Sequence, residues 1–330
     1  MTKGMQQQSI ANRWLALKDK HGHRRMLTIA YLLIIGVMSL TIHLLFIGGL
    51  GQSGVLYMLI PYSISLLITV VRPYGENKST FSKYVSHMAT ALMVFLATSV
   101  VLREGFVCVV FFFPIYFIIV SFAYLLSSGS AEKSEGGDKL RSVVIPILIM
   151  LASLEGTTEL ITFERSSSVS ISKVSSLSVA QIKENLAMPF DLDKSRHWVL
   201  TIFPMPYHIE AGSLNAGDIH KVKTRYHRWF VTNTHEGEAE LLIEQVGPQN
   251  IRTKLLSDTT YFSSYLALNG THINFQSLET GETKITLQID FERKLDPAWY
   301  FQSVQELGVS KMAEFLIDEV MIREDATELR

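Results

Sequence analysis

The sequence is short of the features that mark most enzymes and secreted scaffolds. It has one cysteine, Cys108, set in an apolar run, so neither a disulfide framework nor a cysteine-based metal site forms within one chain. Charged residues make up only 18% and the formal net charge is −1, which removes the basic bias expected of a nucleic-acid binder. No G-x-S-x-G, P-loop or dinucleotide fingerprint occurs. The C-terminal half holds His197, His208, His220, His227, His235 and His272, none in an H-x-x-x-H or H-x-H pair, so no metal is expected. No cofactor is implied either. His208 with Glu210 or Asp218 is an acid–base candidate, although isolated surface histidines are the plainer reading.

Long apolar runs fill the first half. Residues 26–50 are about 25 positions without a charge, enough to cross ~30 Å of hydrocarbon. The length and the lack of an A-x-A-like cleavage site argue against a removable signal peptide. Further runs cover 55–71 (with Pro61), 84–102 and 106–126 (with Pro114). A fifth, 142–156, reaches spanning length only with Glu155 and Glu159 at the far interface; a core or interfacial helix is its alternative. The expected domains are a segment at 1–25, a region of about five spans at 26–156, and a ligand-binding domain at 157–330.

Loop charge sets an orientation. Lys18, Lys20, Arg24 and Arg25 precede the first run; Arg72, Lys78 and Lys83 follow the second; Lys133, Lys139 and Arg141 follow the fourth. The positive-inside rule then puts the N-terminus in the cytoplasm. Five spans place the C-terminal domain outside it, and four would leave it inside. Span interiors carry no Asp, Glu, Lys or Arg, so the bundle reads as an anchor before a conduit. Ser127 to Asp138 reads as a polar loop on the cytoplasmic side.

After Thr157 the pattern shortens. "SSVSISKV" alternates as a strand. "SVAQIKENLA" reads as a helix capped by Ser178 and stopped by Pro189. "MPFDLDKSRHWVL" reads as a short helix or turn with Trp198 inward. Six strands are expected in "PYHIEAG", "DIHKVKTRYHRWFV", "EAELLIEQV", "NIRTKLLSDTTYFSSYLAL", "THINFQSLE" and "TKITLQIDFERK", with turns at "SLNAGD", "TNTHEGE", "GPQN", "NG" and "TGE". In the last strand Ile285, Leu287, Ile289 and Phe291 share one face. Asp296 as N-cap and Pro297 as first helical residue would then open an amphipathic helix, its apolar stripe running through Val304, Leu307, Gly308, Met312, Phe315, Leu316 and Val320. The long basic strand puts Lys221, Lys223, Arg225, His227 and Trp229 on one face, where cross-strand ion pairs with Glu240 and Glu244 are the plain reading. Val222, Thr224, Tyr226, Arg228 and Phe230 take the other.

This order, with "GD-x-x-x-x-x-T-R-Y-x-R" early in the sheet and "DFERKLDPAWYF" leading into the last helix, resembles the START-like, helix-grip (SRPBCC) superfamily. That superfamily includes polyketide cyclase/dehydrase and lipid-transport domains. The resemblance covers about Arg165 to Arg323, and the chain looks like bacterial membrane-anchored members of unassigned function. It implies an α+β helix-grip domain, a curved antiparallel sheet wrapped on a long C-terminal helix and enclosing a cavity for a lipid or other apolar small molecule; the apolar runs, which lie outside the superfamily pattern, add an α-helical membrane bundle of about five spans. The superfamily shares no single catalytic motif, so the catalytic residues are unknown. Inward positions that would line the cavity are Tyr226, Arg228, Phe230, Ile285, Leu287, Ile289, Phe291, Trp299, Leu307, Met312 and Phe315.

Three functions stay open. The first is an inner-membrane protein binding or shuttling an apolar ligand. The second is a cyclase-, dehydratase- or isomerase-type enzyme using Tyr226, Arg228 or a histidine. The third is a membrane scaffold docking a protein partner. No nucleic acid is expected.

Overall fold

The computed structural model describes residues 30, 33–38, 40–42, 44–47, 49–71, 79–101, 106–129, 146–191, 205–229 and 232–323. Phe230, the segment 192–204 with Trp198, residues 1–25 and the polar loop at 130–145 lie outside these, as do the side chains of His43, Cys108, His227, Arg228 and Trp229. The chain divides into two compact units. The second takes in 52–54, 105–111 and 154–330, and the first takes the rest.

The first unit is helical. The described part of α1 (Leu33–Ile47) is apolar. A π turn at Val55–Leu59 leads into α2 (Ile60–Val71), followed by α3 (Thr80–Val101) and α4 (Phe106–Gly129). Among the described residues, two helical stretches, Thr80–Val101 and Val109–Leu126, are long and apolar enough to cross a membrane. The described part of α5 covers 146–152. Ile34, Ile64, Ile68, Ala91, Val94 and Val120 form the core of this unit. Within it, the Ser65 hydroxyl donates to the Val120 carbonyl (3.1 Å) and lies 2.9 Å from His87 Nε2. With its one hydrogen committed, Ser65 accepts from His87, so this buried histidine bonds a neighbouring helix.

The second unit is one eight-stranded sheet in the order β1-β8-β7-β6-β5-β4-β3-β2, every neighbour antiparallel. β1 (Ser166–Ser175) and β2 (Phe190–Asp191) are the edges; β3 is Met205–Glu210, β4 Ile219–Trp229, β5 Thr232–Val246, β6 Asn250–Asp258, β7 Leu266–Ser277 and β8 Thr283–Arg293. α6 (Val179–Ala187) follows β1, and Ser178 and Gln181 close it with a reciprocal capping box. α7 (Ala298–Leu316) runs on into a π turn at Ile317–Met321. Register shifts in β3, β5 and β7 mark bulges, which bend a sheet and raise its twist. Ile285, Leu287, Ile289 and Phe291 of β8 meet Val309 and Ala313 of α7 and Ile317 of the π turn in the main core. Sheet order and helix together fit the helix-grip expectation.

Two turns differ from the sequence reading. "NG" does not turn the chain: Asn269 and Gly270 lie inside β7 at a register shift. A Cβ on Gly270 would stand 2.2 Å from the Thr253 carbonyl oxygen, so the glycine serves a close approach of two strands. The real turn is a 3-10 segment at Tyr261–Ser264, which splits the strand expected from "NIRT" to "YLAL". It begins where the Asp258 carboxylate accepts from the Thr260 N–H (2.8 Å), a local bond that competes with the ladder.

The start of α7 also differs. Pro297 is the N-cap and the Asp296–Pro297 peptide is cis. Asp296 does not cap the helix, because its carboxylate, fully buried, is held by Arg293 and by Arg165 (2.7 Å). Glu155 replaces it: its Oε1 accepts the Ala298 N–H at 2.7 Å and stands 3.9 Å from Arg293. The Asp296 N–H donates to the Gln52 carbonyl (2.8 Å) within the same unit. Gly156, at φ +78°, lies against this node; a Cβ there would be 2.0 Å from Asp296 Oδ2.

Candidate functional site

The inner wall of the sheet is apolar on β8 and becomes polar and aromatic toward β4, β5 and the 3-10 turn. Tyr226 of β4 is buried and stacks on Tyr261 with ring centroids 4.6 Å apart. Tyr265 lies 5.4 Å from Tyr261 and donates its hydroxyl to that of Tyr261 (3.0 Å). His235 meets Tyr261 edge-on at 5.8 Å, with its Nε2 at 3.2 Å from the Thr259 carbonyl. From α7, Gln305 donates its amide to the Tyr265 carbonyl (3.1 Å).

Polar groups along this wall are mostly satisfied. Thr253 and Thr271 share a hydroxyl hydrogen bond of 2.8 Å, and Thr224 donates to the Gly237 carbonyl (3.2 Å). The exception is Gln305 Oε1. This residue is 8% exposed, and its carbonyl oxygen is the one buried side-chain acceptor without a partner among the described residues of this unit. A buried acceptor left unmet costs about 1–3 kcal/mol of desolvation.

The expected cavity residues separate into groups. Ile285, Leu287, Ile289 and Phe291 are all but fully buried and pack directly onto α7. Phe315 joins Ile209, Val320, Phe190 and Val222 in a smaller cluster, and Met312 is half-buried. Tyr226 belongs to the aromatic end. Leu307 (62% exposed) and Trp299 (54% exposed) face outward, correcting their expected place. The buried stripe of α7 runs through Phe301, Gln305, Val309, Ala313 and Ile317, one position round from the stripe read in the sequence. The phase was hidden because Gln305 and Ala313 do not look like core residues, whereas Leu307 does. Tyr300 donates its hydroxyl to the Phe111 carbonyl (2.5 Å) of the same unit, so of the three consecutive aromatics only Phe301 joins the buried stripe.

Tyr261, Tyr265 and Gln305 were missed. For the tyrosines a signal existed, since Asp258 and the serines of "DTTYFSSY" are turn formers. Gln305 carried none.

The outer face of β4 and β5 neutralises itself. Lys221 bonds Glu240 (2.8 Å) and Glu238 (3.1 Å), Arg225 bonds Glu236 (2.9 Å), and Lys223 bonds Glu210. Hydrogen bonds from the lysines hold the Glu210 and Glu240 carboxyls below the usual range and push Lys221 up. His208 bonds Asp191 and lies 4.0 Å from Glu210; Asp218 instead accepts from Ser213 and from the Asn215 N–H. Among the described residues no group of three or more His, Cys, Asp or Glu would hold a metal.

No protein-family model and no curated protein matches the chain. Solved structures are similar to it over about half its length. A Staphylococcus aureus protein of unknown function is 16% identical, covering 50% of this chain and 98% of its own, at TM-score 0.33. The Zhui aromatase/cyclase of Streptomyces sp. R1128 is 13% identical over 50% of this chain and 96% of its own, at 0.29. A START superfamily protein of Mycobacterium smegmatis is 10% identical over 44% and 95%, at 0.25. The fold reading rests on the strand order and the helix themselves.

Proposed function

We propose that the chain is a membrane-anchored helix-grip protein that binds or shuttles an apolar small molecule, such as a lipid, inside its second unit. The observation that carries this reading is the architecture of that unit: an eight-stranded antiparallel sheet packed on α7, with a tyrosine-lined end beside Gln305. Apolar helices in the first unit support the anchor. About five spans, a cytoplasmic N-terminus and an extracytoplasmic C-terminal domain in a bacterial inner membrane complete the proposal. The test is mass spectrometry of extracts from the full chain, purified in mild detergent and in nanodiscs. One apolar species should co-purify in both, with occupancy reduced in Gln305→Leu. An empty protein in both preparations would overturn the reading. A reporter fused at Arg330, scored for periplasmic against cytoplasmic activity, tests the topology.

The Tyr226–Tyr261–Tyr265 cluster favours a second reading, an enzyme of cyclase, dehydratase or isomerase type in which a tyrosine hydroxyl moves a proton. It predicts that the extracted molecule is altered when incubated with wild-type protein and unaltered with Tyr261→Phe.

A further inference from the structure

The outer face of the sheet carries two kinds of cation. On β4, Lys221, Lys223 and Arg225 are each matched by glutamates. On β6 the outward residues Arg252 and Lys254, two apart and therefore on the same side, form no ion pair among the described residues.

Two register shifts shape the surface around them. β5 is irregular between Ile243 and Gln245, and β7 between Leu268 and Gly270. Glu244 and Asn269 are thus extra residues on the strands that flank β6. Gly270 stands opposite Lys254. The result is a depression of about 270 Å³ whose lining includes Glu244, Arg252, Lys254, Asn269, His272 and Asp290.

Arg252 is oriented within it. Its Nε–H donates to His272 Nδ1 at 3.3 Å, so the neutral ring carries its proton on Nε2. Nε2 lies 3.4 Å from Asp290 Oδ2, and Asp290 Oδ1 accepts from the Gln288 amide at 2.8 Å. This relay across three strands uses the Nε–H of the guanidinium and leaves the Nη hydrogens without a partner among the described residues. A directed guanidinium fork beside an ammonium is suited to a compact oxyanion. A merely solvated arginine would need no such relay.

We propose that this depression is an oxyanion site for a phosphate group. Arg252 and Lys254 bind the oxygens, the Asn269 amide supplies a further donor, and Glu244 suits an ammonium or hydroxyl on the same molecule. His272 and Asp290 are positioning residues. The site is separate from the interior one, and free phosphate and phospholipid head groups share the chemistry it reads.

The test is calorimetry on the full chain in neutral-detergent micelles at constant ionic strength. One arm uses inorganic phosphate, the other a short-chain phosphatidylethanolamine below its micelle concentration. Saturable one-site binding is expected, weakened about tenfold or more by Lys254→Ala and by Arg252→Lys, a change of about 1.4 kcal/mol or more. Lys221→Ala should leave it unchanged. His272→Phe should weaken it, and His272→Gln, which keeps an acceptor for Arg252, should largely restore it. Binding of phosphate identifies a free anion, and binding of the lipid alone identifies a head group. No saturable binding in either arm, or equal binding by the Arg252→Lys/Lys254→Ala double variant, overturns the proposal.

Discussion

The second unit places the same pairing, arginine or lysine with a carboxylate, in two opposite settings. On β4 and β5, Lys221, Lys223 and Arg225 meet glutamates in water, on side chains a third to a half exposed. At the start of α7, Arg293 (1% exposed) and Asp296 (0%) are sealed together with Glu155, and the half-buried Arg165 closes the node from outside. Coulomb attraction is screened in the first setting and strong in the second, but only the second requires charges to leave water. The exposed pairs are therefore replaceable one at a time, whereas the buried node is costly to break in part. It already leaves the Nε atoms of Arg293 and Arg165 without partners.

The largest expected effect breaks the buried side of this contrast. Arg293→Met strands Asp296 and Glu155 and should cost about 3–5 kcal/mol in chemical unfolding of the full chain. If the node acts as a charge pair, Arg293→Met/Asp296→Leu should recover more than half of that loss; a double variant no better than the single one would mean that packing, and not charge, dominates. Next comes Gly156→Ala, which adds a side chain at positive φ against Asp296. A loss of about 2 kcal/mol or more is expected, with a wild-type-like melting curve as the refuting result.

Lys221→Ala, on the exposed side, should shift the unfolding midpoint far less than either. The remaining difference from wild type should vanish near 1 M salt, where the screening length is about 3 Å; a salt-independent difference would show that the lysine stem packs. The smallest effect is that of pH. Glu210 and Glu240 sit below their ordinary value of 4.5 in the folded protein, so their contribution is complete above that value and is lost as pH falls through the depressed one. Lys221 is raised above its ordinary 10.5, so its share is complete below that value and is lost as pH rises through the native one. Titrating stability of wild type against Lys221→Ala from pH 6 to 3 should make the two curves converge. Parallel curves would exclude the Lys221–Glu240 pair as the source.

What could be read from the sequence divides along a physical line. Strict alternation in 284–292 encodes a half-buried strand, and β8 follows it with Ile285, Leu287, Ile289 and Phe291 inward. Ser178 with Gln181 encodes a capping box, and α6 begins there. These are local signals, each complete within a few residues. The misreadings concern partners far along the chain. "NG" usually marks a turn, whereas the reason for Gly270 lies in the carbonyl of Thr253 on another strand. Asp-Pro usually starts a helix with Asp as the cap, whereas Arg165 claims Asp296 from 131 residues away. Gln305 could not be singled out at all, since an unmet buried oxygen is a property of its surroundings.

Glu155 has a practical consequence for anyone cutting the gene. Composition suggests severing the chain at 157, where the apolar half ends. A fragment beginning there keeps the Arg293 guanidinium and the first N–H of α7 but discards the carboxylate that meets both. Such a piece should be recovered in poorer yield than one that starts a few residues earlier, and the fault would lie with the choice of endpoint rather than with the sheet.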